Sequence, residues 1–194
     1  MIFDPAVIAQ LTVKRRPRAW LRVTPLAFRA TPLGLGYGKT RFASPDDSFQ
    51  VLYIAPRLVT GVAETLVRDR YVARIRRRIL EREVETWGVT EVEAGSDLHL
   101  LDLRTTGLVQ LGAPTNVARG KNHRAGRRFS AEVYAQAPAV DGLLYSSRLT
   151  GGACIALYDR AVHKLVGAPV VELIRVAALV PALAALNLEL VKTP

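Results

Sequence analysis

One stretch constrains the fold more than any other: Tyr37–Asp69, which reads Y-G-K-T-R-F-A-S-P-D-D-S-F-Q-V-L-Y-I-A-P-R-L-V-T-G-V-A-E-T-L-V-R-D. It leaves a glycine-rich loop, passes Lys39 and Arg41, and runs through the apolar segment Val51–Ala55. It then turns at Pro56 and enters a helix that carries Glu64. A short apolar run closed by a proline reads as a buried strand. Two cations, an aromatic and a carboxylate thus fall on three consecutive elements. A strand-to-helix corner of this kind can aim them at one pocket.

At 194 residues the chain is long enough for one sizeable core, and a single domain is expected. Its 49% hydrophobic and 23% charged residues are those of a folded globular protein, which excludes a disordered chain. The opening M-I-F-D-P lacks the basic start and apolar middle of a secretory signal. The most apolar tract, Val176–Leu188, contains Pro181 and falls short of the roughly 20 residues of a membrane span. The lone Cys154, in the run A-C-I-A-L-Y, reads as a small core hydrophobe. It cannot form an internal disulfide, which fits a reducing compartment and a cytoplasmic protein.

The net charge of +10 is unevenly spread. Residues 5–45 hold Lys14, Arg15, Arg16, Arg18, Arg22, Arg29, Lys39 and Arg41 and no acid, and two further basic clusters, Arg68–Arg82 and Arg119–Arg128, flank the acidic segment Glu83–Asp102. Such a chain attracts polyanions. Nucleic acid, a phosphate-bearing small molecule and an acidic protein all fit, and charge alone does not choose among them.

Ile2–Leu11 reads as a lead-in helix, and Trp20–Thr24 as a first strand with Leu21 and Val23 on one face and Arg22 on the other. Pro25–Gly38 is a loop. Its Gly34-x-Gly36-x-Gly38 has the wrong spacing and context for a dinucleotide fingerprint, and its glycines suit close passage of backbone past a ligand. Thr60 is placed to cap a helix reaching about Val72, with Tyr71–Arg82 continuing as a second helix. Val89–Glu93 and Leu98–Leu103 read as strands, and Thr106–Gly112 and Ser130–Gln136 as helices separated by a loop, Ala113–Arg128. After the Asp141-Gly142 turn come strands Leu143–Tyr145 and Cys154–Tyr158, a helix near Val170–Ala185 and a last strand, Leu186–Val191. Short strands among helices, without a βαβ rhythm, indicate an α+β fold.

The chemistry narrows by elimination. His99, His123 and His163 are scattered and one cysteine cannot build a zinc site, so no metal is expected. There is no G-x-S-x-G elbow for a serine nucleophile. Glu64 stands out because its neighbours Val62, Ala63, Leu66 and Val67 are apolar, and a carboxylate at a core boundary needs a partner. Two readings stay open here. Glu64 either forms a salt bridge to Arg68 at i+4, or it is a catalytic acid facing Arg22, Arg41 and Tyr53.

The segments R-F-A-S-P, V-L-Y-I-A and A-E-T-L, with the later D-G-L-L-Y-S-S-R, resemble the RES domain family over about residues 20–160. The eleven residues from Tyr53 to Glu64 and the D-G-x-x-Y-x-S pattern carry most of the likeness. The resemblance implies a single domain, 20–194, after a lead-in segment, 1–19, with a fold like that of ADP-ribosyltransferases and diphtheria-type toxins around an NAD cleft. It implies that Arg41, Glu64 and Ser147 are the catalytic Arg, Glu and Ser, with Ser147 favoured over Ser146. It further implies that Arg22, Tyr53, Gly38 and Lys39 bind NAD. Phe42 stands where many members have Trp, and Arg41 to Tyr53 is two residues longer than usual.

The function so implied is an NAD-degrading toxin of a toxin–antitoxin pair. It would cleave the nicotinamide–ribose bond as glycohydrolase or phosphorylase, inorganic phosphate being the co-substrate in the second case. Protein ADP-ribosylation from NAD is the close alternative. The implied partner is an antitoxin with a helix-turn-helix domain of Xre type, with nucleic acid reached only through it, and no membrane. A basic nucleic-acid-binding module without catalysis is the competing reading. It is weakened by the 7% aromatic content, which leaves few rings to stack bases, and it gives Glu64 no task.

Overall fold

A computed structural model of the chain describes residues 1–192. Its strands, in chain order, are β1 (Thr12–Arg15), β2 (Trp20–Pro25), β3 (Val51–Ile54), β4 (Arg78–Leu80), β5 (Trp87–Ala94), β6 (Leu98–Asp102), β7 (Gly142–Ser146), β8 (Ala153–Tyr158), β9 (Leu165–Gly167), β10 (Val171–Glu172) and β11 (Glu189–Val191). The helices are α1 (Pro5–Leu11), α2 (Leu58–Val62), α3 (Glu81–Val84), α4 (Gly107–Gln110), α5 (Asn116–Arg119), α6 (Arg124–Gln136) and α7 (Leu179–Ala185). This is the α+β arrangement read from the sequence.

The larger sheet has the order β1-β6-β7-β8-β3 and the smaller β10-β5-β2, with β9 also on β5. They meet at one point, where Leu21 of β2 and Ala55 just beyond β3 exchange backbone hydrogen bonds of 2.8 and 2.9 Å. β1 is the edge strand of the larger sheet, antiparallel to β6, so the lead-in segment is woven into the fold. No helix among the described residues is long and apolar enough to cross a membrane.

Alternation along the central strands sorts the core. Leu52 and Ile54 of β3, Leu144 of β7, and Ile155 and Leu157 of β8 join Val92 of β5 in a cluster drawn from both sheets. The alternate residues Leu143, Tyr145, Ala156 and Tyr158 pack instead with Phe42, Phe49, Phe129 and Val133, beneath α6. A third cluster, including Val62, Leu66, Ile79, Leu173 and Leu183, seats α2 and α7 beside β2 and β5. Cys154 is buried in the second of these, and burial pushes its thiol up to about 12.

Four local expectations are corrected. Tyr71–Arg82 is not a helix: Arg68 (φ +43°) and Ala73 (φ +59°) take left-handed backbone, which breaks it, and the chain extends into β4 to pair in parallel with β11. Thr60 is not a cap, because α2 starts at Leu58; its hydroxyl instead shares a 3.1 Å hydrogen bond with Thr150. Ala113–Arg128 is largely helical, since α6 begins at Arg124, whose N–H is accepted by the Asn122 side chain at 2.8 Å. Within Val170–Ala185 the helix starts only at Leu179, which places Pro181 in the first turn, where its missing N–H costs nothing.

Candidate active site

Beyond the Leu21–Ala55 junction lies a cavity of about 460 Å³, within the range of small-molecule sites. β2 contributes Arg22, the following loop Gly34 and Tyr37, β3 Tyr53, and β7 Tyr145. Of the residues singled out in the sequence, Arg22, Arg41, Tyr53 and Glu64 line the cavity. Ser147 is buried beside it and touches Glu64, whereas Gly38 and Lys39 are not among the lining residues. The Lys39 carbonyl instead lies 3.1 Å from His123 Nδ1.

Glu64 sits where α2 widens into a single π turn, Ala63–Val67, closed by the Arg68 N–H on the Ala63 carbonyl at 2.8 Å. π turns of this kind interrupt helices frequently at functional positions. Here the widening separates two side chains that an α-helix would stack. Arg68 Nε donates to the backbone carbonyl of Glu64 (3.1 Å), and the carboxylate is engaged elsewhere: Ser147 Oγ donates to Glu64 Oε1 at 2.6 Å. The same Oγ accepts the N–H groups of Leu149 and Thr150 at 3.1 and 3.2 Å. The Ser147 hydroxyl is therefore a strut between a backbone turn and the carboxylate.

Arg41 is held from behind. Its Nη1 donates to the Gly120 carbonyl at 2.6 Å, and burial lowers its pKa while the nearby Glu64 carboxylate opposes that shift. The first turns of α6 fix the adjoining backbone: Ser130 Oγ donates to the Phe42 carbonyl (2.7 Å) and Arg127 Nη2 to that of Ser44 (2.5 Å). Helix and loop come this close because Gly126 has no side chain, as a Cβ there would lie 2.6 Å from the Arg41 carbonyl oxygen. Tyr53 completes the turn, accepting the Phe42 N–H at 3.0 Å and pairing with Thr40 Oγ1 at 2.9 Å. Burial pushes its phenol up to about 12, so it stays neutral. Phe42 is a core residue, edge-on to Tyr145 at 4.9 Å.

Arg22 differs from Arg41 in having no acid beside it. Its Nη2 donates to the Gly34 carbonyl at 2.6 Å, but its Nη1 is buried without a partner, and burial lowers its pKa with nothing to offset it. A buried guanidinium N–H without an acceptor is costly.

The mouth contains groups that the sequence did not single out. Asp69 and Arg148 form a 2.6 Å ion pair, and this hydrogen bond holds the Asp69 carboxyl below the usual range. His123, Phe28 and Trp87 also line the cavity. Tyr145 and Arg148 lie inside D-G-L-L-Y-S-S-R, where the alternation of β7 could have found the tyrosine. His123 and Asp69 come to the mouth by tertiary folding, and no local signal marks them.

Comparison with known proteins adds to this geometry. A family model described as the RES domain matches residues 12–179. The probable toxin y4kH of Sinorhizobium fredii (strain NBRC 101917 / NGR234) is 37% identical over 83 residues, which are 43% of this chain and 65% of that relative. The chain thus spans just under two-thirds of the length of the curated relative it matches. Among solved structures, a chain of the M. tuberculosis MbcT–MbcA toxin–antitoxin complex is similar with a TM-score of 0.63 at 17% identity, covering 88% of this chain and 93% of that one. At that identity the likeness is one of fold.

Proposed function

The chain belongs to the RES domain family, and on that footing we propose that it is the toxin of a toxin–antitoxin pair and cleaves NAD at the nicotinamide–ribose bond. One observation carries the reading: the carboxylate of Glu64, anchored by Ser147, shares a cavity with the guanidinium groups of Arg22 and Arg41.

The chemistry follows from charge. Nicotinamide leaves NAD as a neutral base, so its departure needs no proton and shifts positive charge onto the ribose. A carboxylate facing that sugar stabilises the oxocarbenium character and can accept a ribose hydroxyl. Ser147 holds Oε1 of Glu64, which leaves Oε2 to face the substrate. Ser147 is thus a positioning residue in this mechanism. Arg22 and Arg41 suit the anionic pyrophosphate, where guanidinium forks bind oxygens in pairs. The Tyr53 hydroxyl is already engaged, so its ring is what it offers a planar ligand.

The acceptor of the ADP-ribosyl group is water or inorganic phosphate, and the cationic lining favours phosphate. A cognate antitoxin with an Xre-type helix-turn-helix domain is the proposed partner. An acidic segment of it would complement the basic cavity. The test is to follow NAD with purified wild type and Glu64→Gln, with and without phosphate, and to weigh the products. ADP-ribose, or ADP-ribose bearing phosphate at C1, should form with wild type alone. Equal rates for the two chains would overturn the assignment.

A further inference from the structure

Among the described residues, the exposed Phe, Tyr and Trp side chains are Phe28 (58%) and Tyr37 (64%), and both line the same cavity. Two water-exposed rings on the lining of one cavity are available to a flat ligand that enters it. The backbone that carries Phe28 is tied down by hydrogen-bonded turns. Phe28 closes the 3-10 turn Leu26–Phe28 directly after β2, and two further turns follow, from the Thr31 N–H to the Phe28 carbonyl (3.0 Å) and from the Gly34 N–H to the Thr31 carbonyl (2.7 Å). Gly34 cannot carry a side chain, since a Cβ would lie 2.9 Å from the Thr31 carbonyl oxygen. Arg22 grips this same residue through its carbonyl and keeps a buried, unpartnered Nη1.

Two rings and a guanidinium lining one cavity match a ligand in which a flat heterocycle is joined to anionic oxygens. That is a nucleotide. We propose that Phe28 and Tyr37 form the stacking platform for the purine of a nucleotide whose pyrophosphate lies on Arg22. The inference deepens the reading of the cavity as an NAD site and rests on it. It assigns the recognition of the adenine end to the loop after β2, and the chemistry to Glu64 of the same cavity. A mononucleotide lacking the purine forgoes this contact, so the chain discriminates in favour of the dinucleotide.

The probes are ADP and inorganic pyrophosphate, titrated by calorimetry into wild type and the Phe28→Ala/Tyr37→Ala double variant. Both side chains are more than half exposed, so thermal melting should report an intact fold. Stacking on an aromatic ring is lost on alanine substitution at a cost that corresponds to about 5- to 150-fold in affinity. The double variant should therefore bind ADP at least that much more weakly while pyrophosphate binding holds. Equal weakening of both probes would mean that the rings merely shape the loop, and it overturns the proposal. So does unchanged ADP affinity, or failure of wild type to bind ADP. A chain that binds ADP through these rings and yet leaves NAD intact upholds the platform and overturns the cleavage reading alone.

Discussion

Ser147 Oγ lies 2.6 Å from Glu64 Oε1 and at the same time caps the N–H groups of Leu149 and Thr150. The carboxylate is thereby tied to the turn that follows β7. Replacing Ser147 by Ala leaves two backbone N–H groups without their acceptor and frees the carboxylate to rotate. Urea unfolding should show a loss of about 1–3 kcal/mol. Loss of aim at this distance is worth on the order of 100-fold in turnover, so kcat for NAD should fall by about that factor with KM little changed. A variant as active as wild type would show that the strut is dispensable.

Arg22 combines one hydrogen bond with one buried, unpartnered Nη1. Met has a similar length and no charge to desolvate. Arg22→Met gives up a charge-assisted hydrogen bond worth about 1.5–3 kcal/mol, against a desolvation penalty of several kcal/mol for the cation. The free variant should melt at or above the wild-type temperature, yet pyrophosphate, which stabilises wild type by mass action, should no longer raise it. A variant that melts lower but still responds to pyrophosphate would remove Arg22 from the anion site.

Gly126 lets α6 lie against the backbone of Arg41. The Cβ of an alanine would lie 2.6 Å from the Arg41 carbonyl oxygen and 2.8 Å from that of Val117, and neither can rotate away. Gly126→Ala should cost about 1–3 kcal/mol, seen as a fall in Tm of about 2–4 °C for each kcal/mol. It should weaken anion binding as well, because the displaced backbone carries the Arg41 guanidinium with it. Full stability in this variant would contradict the close approach.

Burial raises the phenols of Tyr53, Tyr145 and Tyr158 and the thiol of Cys154, Tyr53 and Cys154 each to about 12. The folded chain keeps these protons at a pH where the unfolded chain, with ordinary values of about 8.5–10, has released them. More protons bound in the folded state means that stability falls as pH rises. The contribution is intact below about pH 8.5 and is lost up to about pH 12, at no more than about 1.4 kcal/mol per pH unit for each group. Urea midpoints measured from pH 8 to pH 11 should decline steadily, and a flat series would refute the burial of these groups.

What the sequence made legible was periodic or chemically incongruous. β3, β6, β7 and β8 could be read because their side chains alternate between two cores, β2 because Leu21 and Val23 share a face opposite Arg22, and Glu64 because a carboxylate among Val62, Ala63, Leu66 and Val67 is out of place. The second helix failed because nothing in R-D-R-Y-V-A-R-I-R-R-R announces left-handed backbone at Arg68 and Ala73. β4 is short and is fixed by β11, which lies more than a hundred residues away. The Asp69–Arg148 pair and the approach of His123 are likewise products of assembly, and no local pattern encodes them.

The π turn at Ala63–Val67 makes the acid's availability a question of helical phase. One residue corresponds to about 100° of rotation in an α-helix. Removing one residue from this turn would wind it back by that angle and bring a guanidinium onto Glu64 as an ordinary intrahelical neighbour, quenching the carboxylate that the cleft requires. If the chain is the toxin proposed above, loss of a single codon here should recur among the survivors of its unguarded expression.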